Sequence, residues 1–435
     1  MSALRREIPS LLAVVLVAAC AGGSGAPASG SSEPVAPATA SPPATASPPA
    51  AVSANPTLAS HFVLLATHMT AARSGASATV LANGKVLLAG GQLSDATSEL
   101  FDPVSGQFTL SGKMAVPRIY NTATLLADGQ VLAVGGNEPG GRADISAELY
   151  DPVAGTWRTT GSPLRALTDC SAAARLPDGR VLFVGATEAR EVAPGRVANS
   201  PVATAQLYDE ATGKFTVTGS MFQARCGPSV IPLRDGRVLV AGGATMGRYD
   251  AGTETMSFVP LASAEIYDPG TGRFALTGTM SVGRKLAIAA ALPDGRVLIA
   301  GGCSNADTEA GLWCTASGFL SSAELYDPSM GVFSPTGSMA HIRDMGVAVA
   351  VLANGRVLLA GAEQLVPNGP DHQRISFTTD TEIFDPVTNI FVPSGAVLAQ
   401  GRRVPSVAVL SDGRVLIAGG DIDDNPADSA ELFVP

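Results

Sequence analysis

The chain has 435 residues, a formal net charge of −10 and only 15% charged residues, with 48 glycines and 31 prolines. Such a mixture suits many short strands joined by tight turns rather than helices. A weakly charged, acidic chain carries no electrostatic footprint for nucleic acid, so that class of partner is excluded.

At the N-terminus, Arg5 and Arg6 precede a nine-residue apolar run from Leu11 to Ala19. At helical rise this is too short to span a hydrocarbon core of about 30 Å, so residues 1–19 read as a cleaved export signal. The run closes on Val17-Ala18-Ala19-Cys20, which resembles the lipobox of bacterial lipoproteins. That resemblance implies that Cys20 becomes the mature N-terminus and carries a lipid. The chain would then sit in the bacterial cell envelope, lipid-anchored and facing the periplasm or the exterior. An ordinary signal peptide with a chance cysteine is the alternative. Residues 20–60 are dominated by Ala, Pro, Ser, Gly and Thr, with few large apolar side chains. They bury too little surface to offset chain entropy and read as a semi-extended tether.

From residue 61 to 435 the sequence repeats itself, with copies starting at Met69, Met114, Leu164, Met221, Met280, Met339 and Leu398. Internal repetition at this period signals a solenoid or propeller. Each copy reads as four strands, a to d. Strand a ends in an Asn-Gly or Asp-Gly turn such as Asp128-Gly129, expected to be a two-residue type I′ hairpin into strand b. Strand b is a continuous apolar run, such as Val297-Leu298-Ile299-Ala300, closed by Gly301-Gly302. That pattern suits a strand buried on both faces. Strand c carries Ala323-Glu324-Leu325-Tyr326 and is broken by Asp327-Pro328, because proline lacks a ladder donor. Strand d begins at an aromatic residue: Phe108, Trp157, Phe215, Phe274, Phe333 or Phe391.

Apolar strand, diglycine, Tyr-Asp-Pro and then an aromatic is a pattern that resembles the kelch repeat, and the resemblance covers residues 61–435. It implies an all-β fold: a seven-bladed β-propeller of four-stranded antiparallel blades. Departures are Gly185-Ala186 and Gly361-Ala362 in place of diglycine, and Phe for the usual Trp at strand d. The seventh copy ends at Val434-Pro435 without strand d, whereas His61–His68 looks like a strand d without its blade. Phe62–Ala66 is therefore expected to complete the last blade, closing the ring and removing its free edges.

In that arrangement the d–a and b–c connections share one face. The b–c connections carry the length variation, reaching about 19 residues in copies three to six, so this is the expected working face. Four cysteines besides Cys20 map there. Cys303 and Cys314 share one connection, while Cys170 and Cys226 begin neighbouring a strands. Given the blade geometry, the pairing expected is Cys303–Cys314 with Cys170–Cys226. No Cys-x-x-Cys and no nearby His support a metal there.

An arginine opens strand a in six copies: Arg73, Arg118, Arg225, Arg284, Arg343 and Arg402. In other kelch propellers, arginines around the axis grip acidic partners, which implies a binding role. A competing role is structural, because strand c carries Glu99, Glu148, Glu265, Glu324, Glu382 and Glu431 in the same copies. Copy three has Thr168 and Gln206, so both charges vanish together. Ion pairs inside each blade, formed across the diglycine, are the favoured expectation. The acidic stretch 421–428 has oxygens suited to Ca²⁺ but not the EF-hand spacing, and solvation is its simpler reading.

By fold, the well-known catalytic relative is galactose oxidase, whose copper chemistry needs two Tyr, two His and a Cys cross-linked to one Tyr. No adjacent Tyr-His pair occurs here, so no catalytic residue, metal or cofactor is carried over. The expected function is a membrane-anchored scaffold that binds a protein or a glycan on the b–c face. The alternative, suggested by a periplasmic sialic-acid-isomerising kelch protein, is a carbohydrate-active enzyme.

Overall fold

The turns set the local architecture. Between strand a, Ser77–Val80, and strand b, Val86–Ala89, the Gly84 amide donates to the Leu81 carbonyl oxygen at 2.9 Å, and Gly84 has φ +80°. Asn83 is not left-handed, and its Oδ1 accepts the Lys85 amide at 3.1 Å. The expected type I′ turn is thus replaced by a longer loop in which only the glycine takes positive φ, the bulged hairpin built on a type I turn. At the Asp-Pro c–d turns the Asp side chain accepts the amide two residues on, as Asp102 does from Val104 at 2.9 Å. This Asx turn is what the Asp-Pro pair encodes.

The computed structural model describes residues 60–435 apart from 92–95, 139–144, 168–169, 251, 253–254, 306–317, 344–345, 362, 368–372 and 423–424. Residues 1–59, including Cys20 and the segments read as export signal and tether, and Cys314 lie outside the described residues. Among the described residues are seven four-stranded antiparallel sheets, four two-stranded hairpins and no α-helix. In the first sheet, Ser77–Val80, Val86–Ala89, Thr97–Asp102 and Gln107–Lys113 pair in chain order. The last sheet is Ser406–Val409, Val415–Ala418, Ala430–Val434 and then His61–Leu64, from the other end of the described chain. Phe62 faces Phe433 there, with ring centroids 5.1 Å apart, as Phe101 faces Phe108 at 4.9 Å in the first sheet. The pairing strand is shorter than Phe62–Ala66 and begins at His61. Its remaining residues turn away after Leu65, whose amide reaches the Ala430 carbonyl.

All four residues of strand b are buried in every sheet. Each fully buried Val or Leu contributes about 1.5–3 kcal/mol relative to exposure. The a strands of successive sheets pack on one another, and Ser77–Val80 packs on both Thr122–Leu125 and Ser406–Val409. The outer strands are clasped by hydroxyls. Tyr150, Tyr208, Tyr267 and Tyr326 each meet a Ser or Thr of the preceding sheet at 2.5–2.9 Å. Arginines add a second clasp, from the a–b turn of one sheet to the Pro carbonyl in the c–d turn of the next. Arg180 reaches Pro269, Arg237 reaches Pro328 and Arg296 reaches Pro386. The molecule is an all-β, propeller-like fold.

Candidate binding face

The six arginines meet the glutamates of their own sheets. The distances are 2.8 Å for Arg73–Glu99, 3.0 Å for Arg118–Glu148, 2.9 Å for Arg225–Glu265, 3.2 Å for Arg284–Glu324, 3.0 Å for Arg343–Glu382 and 2.9 Å for Arg402–Glu431. Arg225 also donates to the carbonyls of Gly242 and Ser263 at 2.9 and 2.8 Å, while Glu265 Oε2 accepts the Phe222 amide at 2.8 Å. Burial pushes the guanidinium pKa of Arg118, Arg225, Arg284 and Arg402 down, and the paired glutamate opposes the shift. All six side chains are at most 1% exposed, so none presents its charge to a partner. The binding role is corrected accordingly: these residues tie each sheet together.

The diglycine does something other than clear a path to glutamate. A Cβ on Gly242 would lie 2.6 Å from the carbonyl oxygen of Arg284 in the next sheet, and the Gly243 amide donates to that same oxygen at 2.9 Å. The first glycine therefore makes room for the neighbouring main chain and the second bonds it. Gly420 repeats the bond to Arg73 at 2.8 Å, between the last and first sheets.

Where the a strands begin, Tyr120, Leu286 and Val404 hold φ of +58°, +59° and +51° and are nearly fully buried. Tyr120 donates its amide to Gly75, Gly75 to Val404, and Val404 to Gly346, at 2.9–3.2 Å. The Tyr120 ring lies where a Gly75 side chain would be. Main chain and side chains thus floor the b–c face, and non-glycine residues in left-handed backbone concentrate strain there. Cys170 and Cys226 form a disulfide across neighbouring sheets within this floor. It stands in the sheet that lacks an Arg–Glu pair, where Gln206 accepts the Leu164 and Arg165 amides instead. Cys303 is also disulfide-bonded.

Above the floor stand hairpins where the sequence suggested loops. They are Thr187–Ala193 with Arg196–Pro201, Ala244–Asp250 with Thr255–Pro260, and Glu363–Pro367 with Gln373–Phe377. A smaller one pairs Asp421–Ile422 with Asn425–Pro426. The Pro194-Gly195 turn between alternating segments was the legible signal for the first. Arg196–Pro201 leans on Ala244–Asp250, and Ser200 Oγ lies 3.4 Å from Met246 Sδ. Phe258 packs on the disulfide and Leu286. Phe377 stacks 5.4 Å from the Arg403 guanidinium, which also holds Asp421 at 3.1 Å. Arg403, one residue beyond the buried Arg402, is the cation that the sequence reading passed over. With Asp421 committed to Arg403 and Asp428 Oδ1 3.0 Å from His68 Nδ1, two carboxylates of the acidic stretch already have partners other than a metal ion.

An open groove of about 450 Å³ lies elsewhere, between the c–d turns of the fourth and fifth sheets, lined by Arg237, Asp268, Arg273 and Tyr326. It is the seam spanned by the Arg237 clasp, not part of the hairpin face.

No protein-family model matches the chain, and no curated protein matches its sequence. Among solved structures, a fungal alcohol oxidase of the AA5 family, in complex with copper, is similar over 83% of this chain and 79% of its own, with a TM-score of 0.53 and 18% identity. At that identity the likeness shows the fold alone. The described residues do not fit a copper centre. His68 is engaged by Asp428, His341 stands 3.7 Å from Glu382, and His61 lies in the last sheet's outer strand. His372 lies outside the described residues. Among the described residues no group of three or more His, Cys, Asp or Glu is placed to hold a metal ion.

Proposed function

We propose that the chain is a seven-bladed, kelch-type propeller, held at a bacterial membrane through a lipid on Cys20, that binds a protein or glycan partner on its hairpin face. Seven equivalent sheets, and the bonds between the last and first of them, support the blade count and a closed ring. The observation that carries the binding reading is the crown of hairpins over a rigid, strained floor with Phe258, Phe377 and Arg403 at its base. An aromatic ring beside a guanidinium that keeps 17% of its side chain exposed suits stacking and charge-assisted hydrogen bonding, the usual means of holding sugar rings or carboxylates.

The test is a glycan array and an envelope-peptide array probed with the full chain, beside Arg403→Gln and Phe377→Ala variants. A ligand bound by the native chain and at least tenfold more weakly by either variant supports the proposal. A ligand held equally by all three places its site elsewhere and overturns it. The alternative, a carbohydrate-active enzyme, draws on the likeness to an alcohol oxidase. Oxidation of an alcohol or isomerisation of a sugar by the purified chain would put that reading first.

A further inference from the structure

The face opposite the hairpins carries the c–d turns, and its exposed apolar residues follow a pattern. At the turn tips Val104 is 96% exposed, Val153 97%, Val387 89% and Met330 67%. Isolated exposed apolar residues are ordinary. These four, however, fall in one turn of each of four sheets, the first, second, fifth and sixth, and none makes a core contact that explains it. In the fifth and sixth sheets the position opposite the Asp is also apolar and exposed, Val332 and Ile390. The third and fourth sheets differ: their tips carry Ala211 and Gly270, and Lys214 and Arg273 stand opposite the Asp.

The seventh sheet has no c–d turn, and its register shows what replaces it. Val434 faces His61 as Asp102 faces Gln107 in the first sheet and Asp385 faces Ile390 in the sixth. The main chain preceding His61 therefore enters on the turn face, between the sixth and first sheets, at the middle of the apolar arc. Ser60 Oγ donates to the Ser394 carbonyl at 3.2 Å, fixing that entry point against the sixth sheet. The segment before it is rich in Ala, Pro and Ser and offers little apolar surface to cover four large side chains.

We infer that the turn face lies on a phospholipid surface, with Val104, Val153, Met330 and Val387 entering the headgroup layer around the point where the tether joins the domain. The inference rests on the lipid-anchor reading of Cys20. A tether of some forty residues holds the domain at high effective concentration near the bilayer, so a few weakly inserting side chains suffice to orient it. The hairpin face then points away from the membrane, toward partners.

The experiment uses the full lipidated chain in liposomes of phosphatidylethanolamine and phosphatidylglycerol. An environment-sensitive fluorescent amino acid replaces Val104, Val153 or Val387, or, as a control, the exposed Ala189 of the hairpin face. Brominated lipid is expected to quench the three turn probes at least threefold more than the control. Val104→Asp with Val153→Asp should at least halve the quenching of the probe at 387. A chain that floats with the liposomes while turn and control probes quench equally overturns the inference and leaves the anchor standing. A chain that stays in solution overturns both. Turn probes already shielded in a dimeric Cys20→Ala chain without lipid would assign the arc to a second copy and overturn the membrane assignment.

Discussion

The guanidinium of Arg414 donates to the carbonyl oxygen of Pro103 at 2.8 Å, across 311 residues of sequence. The same arginine holds Asp412 of its own turn at 2.6 Å, so one side chain fixes a hairpin and clasps the last sheet to the first. Thr67 adds a hydroxyl bond to the Gly106 carbonyl at the same junction. A charged donor to a carbonyl is worth about 1.5–3 kcal/mol when buried, and partial exposure here reduces that to about 1 kcal/mol. Arg414→Gln is expected to lower the urea midpoint accordingly. An unchanged midpoint would mean that the Arg414 clasp contributes nothing to the junction.

The pair Arg284–Glu324 supports a larger effect. Glu324 gives one oxygen to Arg284 and the other to the Ser281 amide at 2.9 Å, and both side chains are almost wholly buried. Glu324→Ala leaves a buried guanidinium and an orphaned amide, at a cost of about 3–5 kcal/mol. Arg284→Met with Glu324→Leu removes both charges, but strands the Gly301 and Ser322 carbonyls that Arg284 serves. The double variant should therefore recover only part of the loss. Chemical denaturation of the three proteins checks the order, and full recovery would show that the carbonyl bonds contribute nothing.

Cys170–Cys226 closes a loop of 56 residues in sequence between two neighbouring sheets. Loop entropy gives about 4 kcal/mol for a loop of that size as an upper figure. The third sheet lacks the buried Arg–Glu pair of the other six and has Gln206 in the glutamate's place, so the crosslink is expected to hold its inner end. Cys170→Ser with Cys226→Ser should lower Tm and raise amide exchange first in Ala172–Arg175. Uniform exchange across all sheets would rule out that local role.

The repeat was legible because every copy restates the same turns and the same buried run, so one alignment placed nearly all strands. The Arg–Glu pairing was legible for a sharper reason: copy three loses both charges at once, as linked residues do. Other features were not, and each depends on the neighbouring sheet. The role of Gly242 is set by the Arg284 carbonyl, and that of Tyr267 by Thr218 across the seam. Arg180 reads as a solubilising charge after Asp178-Gly179 until Pro269 is placed beside it. Arg403 was hidden behind Arg402, because two consecutive arginines look equivalent until strand direction sends one inward and the other to Phe377.

The Asp-Gly-Arg turns also contribute to how the protein responds to acid. The Arg180, Arg237 and Arg414 guanidinia hold the carboxyls of Asp178, Asp235 and Asp412 below the ordinary aspartate pKa. A folded-state value below the unfolded one, near 3.9, means these carboxylates stabilise the fold above that pH and lose the contribution as pH falls through the folded values. All three sites are substantially exposed, so screening limits each to a few tenths of a kcal/mol. Tm should be flat from about pH 8 to about pH 5 and fall below about pH 4. The triple variant Arg180→Gln, Arg237→Gln, Arg414→Gln should start lower and show a shallower acid slope, and molar salt should narrow the gap between the two proteins. Melting both across that range decides the matter: parallel acid slopes would assign the titration to other carboxylates.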